Sequence, residues 1–195
     1  MKIILIALML LSFNASAFEK YKIEGESVSN QNVVVYKFFY YGCSHCMRMD
    51  QELDYLRNID GVEFIEVPIA FNELSKMAAK HYYTAKTLNI ERGFNVDYYR
   101  NIVMQRNPIS DNLAIDLMSY YANRRDIINN MDSNHVKNKV EKASEKMLKY
   151  EINSTPTFIV DGRYKVNAEI SSGYENLKKD LKEIINTELD RRKIE

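Results

Sequence analysis

A chain of 195 residues, 46% hydrophobic and 28% charged, can bury the core of one domain, or of one domain with a large insertion, without disulfide staples. Lysine plus arginine equals aspartate plus glutamate at 27 each, and no basic face interleaved with aromatics argues for nucleic acid. Two cysteines are too few for a disulfide scaffold.

The first 17 residues read as a secretory signal peptide. Met1-Lys2 is a short basic start, Ile3 to Leu11 an apolar run, and Ala15-Ser16-Ala17 a cleavage site of small residues. The run is too short for an ordinary spanning helix. An exported protein starting at Phe18 is expected.

Val33 to Phe39 is continuously apolar except for Lys37, the pattern of a central strand covered on both faces. Tyr40, Tyr41 and Gly42 lead to Cys43-Ser44-His45-Cys46, which holds both cysteines. Cys46, Met49, Leu53 and Leu56 recur at helical spacing, so 44–58 is predicted to be an amphipathic helix. A strand that delivers Cys-x-x-Cys to a helix start is how thiol redox chemistry is usually built. The helix N-terminus offers positive charge and free N–H groups to a thiolate. A bridge across so small a loop adds little stability, which also favours reactivity over structure. A metal-binding module with Cys43 and Cys46 as soft ligands is the rival from another class. A closed zinc site needs four ligands, and there is no second cysteine pair.

Asp60-Gly61 marks a turn, and 62–67 a second strand, completing a βαβ unit. From 72 to 150 the pattern is helical. Leu74, Ala78, His81, Ala85 and Leu88 form one stripe. Asp111 is expected to cap a segment with Leu113, Leu117, Tyr120 and Tyr121 on one side. Ser133 or Asn134 opens a longer helix with Val136, Val140, Ala143, Met147 and Tyr150 inward. His81 reads as a satisfied core side chain, and the tyrosine pairs as packing. Tyr40 and Tyr41, beside the cysteines, are candidates to line a peptide groove.

Thr157 to Val160, the turn Asp161-Gly162, and Arg163 to Val166 form a hairpin. Leu177, Leu181, Ile184, Ile185 and Leu189 mark a closing helix. The order βαβ, helical block, ββα predicts an α/β thioredoxin-like fold. Residues 18–71 and 151–195 form its core domain, and 72–150 an inserted helical subdomain.

The chain resembles the exported disulfide oxidases of the DsbA family. The resemblance rests on Phe38 to Cys46, on Ser154-Thr155-Pro156-Thr157, on Asp161 to Asn167, and on the placement of the helical insert. It implies that Cys43 is the exposed attacking sulfur and Cys46 its buried partner. His45 would stabilise the Cys43 thiolate. Pro156 would be cis beside the disulfide, with Thr155 offering its backbone to an extended substrate. The resemblance also implies a protein disulfide oxidoreductase that needs no metal or organic cofactor beyond its redox-active disulfide. The enzyme would work in the periplasm on unfolded exported proteins and be reoxidised by a quinone-linked membrane partner of the DsbB kind, without nucleic acid and as a monomer. A disulfide isomerase or reductase of the same fold is the alternative. The short stretch 18–32 leaves no room for an isomerase's N-terminal dimerisation domain.

Lys37 and Glu66 depart from the family pattern, which commonly has an acid at the first position and often a lysine at the second. A lone buried lysine is very costly, so the two are expected to form a charge pair or proton relay. The alternative is that one or both reach solvent at the strand ends.

Overall fold

The computed structural model describes residues 18–29 and 31–194. The signal peptide expected at 1–17 lies outside them. Strands β1 (Val33–Phe39), β2 (Val62–Pro68), β3 (Thr157–Val160) and β4 (Tyr164–Asn167) form one sheet in the order β2-β1-β3-β4. Helices α1 (Ser44–Glu52), α2 (Glu73–Thr87), α3 (Glu91–Tyr99), α4 (Asp111–Met118), α5 (Arg124–Met131), α6 (Asn134–Lys149) and α7 (Tyr174–Arg192) complete the βαβ, helical block, ββα order. This is the thioredoxin-like architecture expected from the sequence.

Every residue of β1 except Tyr36 is buried, as its apolar run requires. Val33 N–H donates to Gly61 O (2.8 Å) and Ile69 N–H to Phe39 O (2.9 Å), so β1 and β2 run parallel. β3 and β4 pair antiparallel from Thr157 opposite Asn167 to Val160 opposite Tyr164.

The chain divides into two compact units. One holds the described residues up to Tyr36, then 56–65, and those from 157 onward. Its hairpin turns where Asp161 and Gly162 both take positive φ, 54° and 72°, the conformation that Asp-Gly tolerates best. The turn needs Arg163 as well, so β4 begins one residue later than its sequence pattern suggests. The Asp161 carboxylate is fully buried and accepts from Arg163 (2.7 Å), Arg192 (2.5 Å) and Ser27 (3.0 Å). Leu177, Leu181, Ile184 and Ile185 are the buried stripe of α7.

The other unit holds Lys37–Tyr55 and Glu66–Pro156. Its core is aromatic: Phe39, Tyr41, Tyr82, Phe94, Tyr98 and Tyr99 are all buried. Asn72 and Ser75 form a reciprocal capping box on α2, and Ser133 caps α6. Three local expectations change. The α-helix after Cys43 stops at Glu52, and Asp54–Asn58 is a 3₁₀ segment. Leu53, which caps the α-helix, and Leu56, within the 3₁₀ segment, are both buried. Ser110, not Asp111, caps α4, accepting from Leu113 N–H. The Asp111 carboxylate is engaged instead by His81 (2.7 Å) and Lys80 (2.8 Å). Finally, α4 ends at Met118, so Tyr120 and Tyr121 are exposed rather than on its buried side.

Candidate active site

β1 ends four residues before Cys43, and a single turn covers the gap. Cys43 N–H donates to Tyr40 O (3.0 Å), with Tyr41 and Gly42 between them. A Cβ on Gly42 would lie 2.5 Å from the Tyr40 ring, so this tight path favours glycine. The turn leaves Cys43 extended (φ −96°, ψ 108°) as the N-cap of α1. Its Sγ accepts the Cys46 N–H at 3.0 Å, the position where serine or aspartate commonly caps a helix. Cys43 and Cys46 are joined as a disulfide with Cα atoms 5.2 Å apart. Cys43 is half-buried and Cys46 fully buried. An incoming thiolate therefore reaches Cys43 first. The sulfur that Cys43 presents already faces an N–H donor and a helix N-terminus, both of which stabilise negative charge.

The Thr155–Pro156 peptide bond is cis, and Pro156 is buried. The Thr155 carbonyl oxygen lies 3.4 Å from Cys43 Sγ. Ile69, Phe71, Met147, Ile152 and the segment Asn153-Ser154-Thr155 line a cavity of about 410 Å³. Phe71 is 62% exposed, an apolar ring left facing water on this rim. His45 is half-buried, and its Nδ1 lies 3.3 Å from Arg48 Nη2 one turn along α1.

Lys37 and Glu66 pair. Lys37 is 1% exposed, and its Nζ donates to Glu66 Oε1 at 2.9 Å. A third group, Asp50, was not anticipated, and it accepts from the same Nζ at 2.5 Å. Burial raises the Asp50 pKa above the ordinary carboxylate value; the Lys37 charge opposes this, and the charge of Glu66 and a hydrogen bond to it reinforce it. The cluster is one lysine between two carboxyl groups. The Tyr99 hydroxyl, buried without a hydrogen-bond partner, has its pKa pushed well up by burial and then by the charges of Asp50 and Glu66. A sequence signal for Asp50 existed: it stands four residues after Cys46, on the same helix face.

Tyr41 does not line a groove. It is fully buried among aromatic rings, while Tyr40 is partly exposed. His81 is the satisfied core histidine expected, bonded to Tyr98 OH and Asp111, both at 2.7 Å. Among the described residues, no three His, Cys, Asp or Glu side chains converge as a metal site would need.

The thiol:disulfide interchange protein DsbA of Pseudomonas syringae is 24% identical over 147 residues, covering 73% of this chain and 69% of that protein. Its counterpart from Buchnera aphidicola is 27% identical over 188 residues, covering 86% and 87%. The match to the Burkholderia cepacia protein spans 65% of that protein's length. In three dimensions the chain resembles the crystal structure of Pseudomonas aeruginosa DsbA with a TM-score of 0.79 at 18% identity, covering 88% and 91%. That of Xylella fastidiosa DsbA gives 0.76 at 20%, covering 86% and 92%. The sequence profile described as thioredoxin matches residues 25–183, most of the chain, and the chain belongs to the thioredoxin family.

Proposed function

We propose that this protein is a thiol:disulfide oxidoreductase of the DsbA kind that donates its Cys43–Cys46 disulfide to reduced proteins. The observation that carries this reading is the Cys46 N–H held 3.0 Å from Cys43 Sγ at a helix start, with Cys43 reachable and Cys46 buried. A substrate thiolate attacks Cys43 Sγ, forming a mixed disulfide and releasing Cys46 as the thiolate. A second substrate thiolate attacks the substrate sulfur of that mixed disulfide. The substrate leaves as a disulfide, and Cys43 leaves as a thiolate facing the Cys46 N–H. Two substrate thiols are oxidised and one protein disulfide is reduced, so no metal or organic cofactor is required.

Thr155 offers backbone groups to an extended substrate beside Cys43, and Pro156 holds that loop. His45 adds positive charge near Cys43 when protonated. Lys37 and Glu66, with Asp50, serve as the buried charge group that exchanges protons during turnover. The clients are unfolded exported proteins with free thiols. The site of action is the periplasm, reached through the signal peptide at 1–17. A quinone-linked membrane partner of the DsbB kind restores the disulfide, and the protein works as a monomer. The helical block 72–150 is an insertion into the core domain 18–71 and 151–195.

The test is to incubate the disulfide form with a reduced, unfolded protein containing two thiols and to count thiols lost. Stoichiometric oxidation is expected. Cys43→Ser and Cys46→Ser should each abolish it, because neither variant can form the disulfide that is donated. A protein that instead reduces substrate disulfides, with an equilibrium favouring its own disulfide against glutathione, would establish the reductase or isomerase alternative.

A further inference from the structure

Tyr41 is an unusual residue to find two positions before a reactive cysteine, because its side chain is fully buried in a different element. Its ring lies 4.6 Å from that of Tyr98, 4.9 Å from Tyr99 and 6.1 Å from Phe94, all on α3. Its hydroxyl donates to Asn95 Oδ1, also buried on α3. Tyr41 and Gly42 are the two central residues of the turn closed by Cys43 N–H and Tyr40 O. The same residue is thus fixed at both ends, with its backbone in the turn and its side chain in the helical block.

The anchor is itself braced. The Asp111 carboxylate only accepts, so His81 donates from Nε2, and the His81 Nδ1 must accept from the Tyr98 hydroxyl. Lys80 donates to the other Asp111 oxygen (2.8 Å). Donors and acceptors match along the whole row, which is buried at Tyr98 and His81 and opens to solvent at Asp111 and Lys80, and a satisfied network of this kind holds one arrangement. Tyr98, the ring nearest Tyr41, is locked by it.

We propose that Tyr41 is a positioning residue for Cys43: clamped by Asn95 and Tyr98, it holds the turn that keeps the Cys43 sulfur on the Cys46 N–H. Through this clamp the helical block sets the chemistry of a cysteine that it does not itself carry. The inference rests on the disulfide-donor reading above. A looser turn leaves the Cys43 thiolate less often on its donor, so the dithiol form loses favour.

The test compares wild type, Tyr41→Phe, Asn95→Ala and the double variant. Two quantities are measured: the Cys43 thiol titration and the equilibrium between protein disulfide plus two glutathione thiols and protein dithiol plus glutathione disulfide. Asn95→Ala leaves the turn and the Tyr41 ring intact, so it remains informative if Tyr41→Phe folds poorly. Each single variant is expected to raise the Cys43 pKa and lower the equilibrium constant by about three- to tenfold. The double variant should be no worse than the more affected single one, because both act through one bond. Variants that lose stability to denaturant but keep the wild-type titration and constant overturn the proposal. A wild-type Cys43 that titrates like a free cysteine overturns the disulfide-donor reading instead, which separates the two failures.

Discussion

Lys37 holds two carboxyl groups at once, Asp50 Oδ1 at 2.5 Å and Glu66 Oε1 at 2.9 Å, and all three side chains are largely buried. The ammonium cannot be removed cheaply, because two carboxyl groups would then be left in a low-dielectric interior without their cation. Lys37→Met should cost about 3–5 kcal/mol in denaturant unfolding. Replacing Lys37 and Glu66 together should cost less than the two single changes combined, with a coupling of about 0.5–3 kcal/mol in a double-mutant cycle. Additive losses would show that the pair does not interact energetically.

Asp50 carries the pH dependence of this cluster. Its folded pKa is raised, chiefly by burial, so its contribution to stability is fully present below the ordinary carboxylate value of 3.8. That contribution is lost as pH rises through the raised folded value. Asp50→Asn should remove this slope, giving a flatter profile on the neutral side of that window. Urea unfolding of wild type and variant at a series of pH values reads it directly. An unchanged slope would place Asp50 outside the titrating group.

The two sulfurs should differ in reactivity. Cys43 is half-buried and faces an N–H donor, while Cys46 is fully buried. In the reduced native protein near neutral pH, alkylation followed by peptide mapping should find Cys43 modified far faster than Cys46. Equal labelling, or a faster Cys46, would reverse their roles.

Stability should depend on redox state in an unusual direction. A thiolate capping α1 stabilises the dithiol form, so at neutral pH the reduced protein should resist denaturant better than the oxidised one. The advantage is present above the unfolded thiol pKa and is lost as acidification protonates Cys43 through its lower folded value. Paired unfolding curves with and without reductant measure it. A more stable oxidised form at neutral pH would indicate a reductase-like balance.

The helical block should be acid-sensitive at His81. Burial lowers its pKa from 6.5 to about 4, against the raising effect of the Asp111 hydrogen bond and charge. The unfolded state takes up the proton first, so this stability is present above about 6.5 and is lost as pH falls through about 4. Asp111, lowered by the hydrogen bonds from Lys80 and His81 against its own desolvation, acts in the same direction. Asp111→Asn should lower the His81 value further, as followed by NMR titration of the ring. A rise would contradict the donor order drawn for this network.

Much of this was legible in the sequence, because it depends on period and spacing. The apolar run 33–39 forms a central strand, the Asp-Gly at 161–162 turns a hairpin, and Cys-x-x-Cys follows a strand at a helix start. Each is decided by local backbone geometry or by which face is apolar, and both are written in consecutive residues. The pairing of Lys37 with Glu66 also follows, since a buried charge demands a partner and the neighbouring strand supplies one. Other features depended on contacts between residues far apart in the chain. Asp50 joins the charge cluster only because α1 brings its inward face to β1 and β2. Asp111 looked like a cap and Tyr41 like a groove residue. In the fold Asp111 holds His81, and Tyr41 is held by Asn95, 54 residues away. A polar or aromatic side chain satisfies itself with whatever partner folding places within reach, and the partner's identity is a property of the packed chain rather than of its neighbours in sequence.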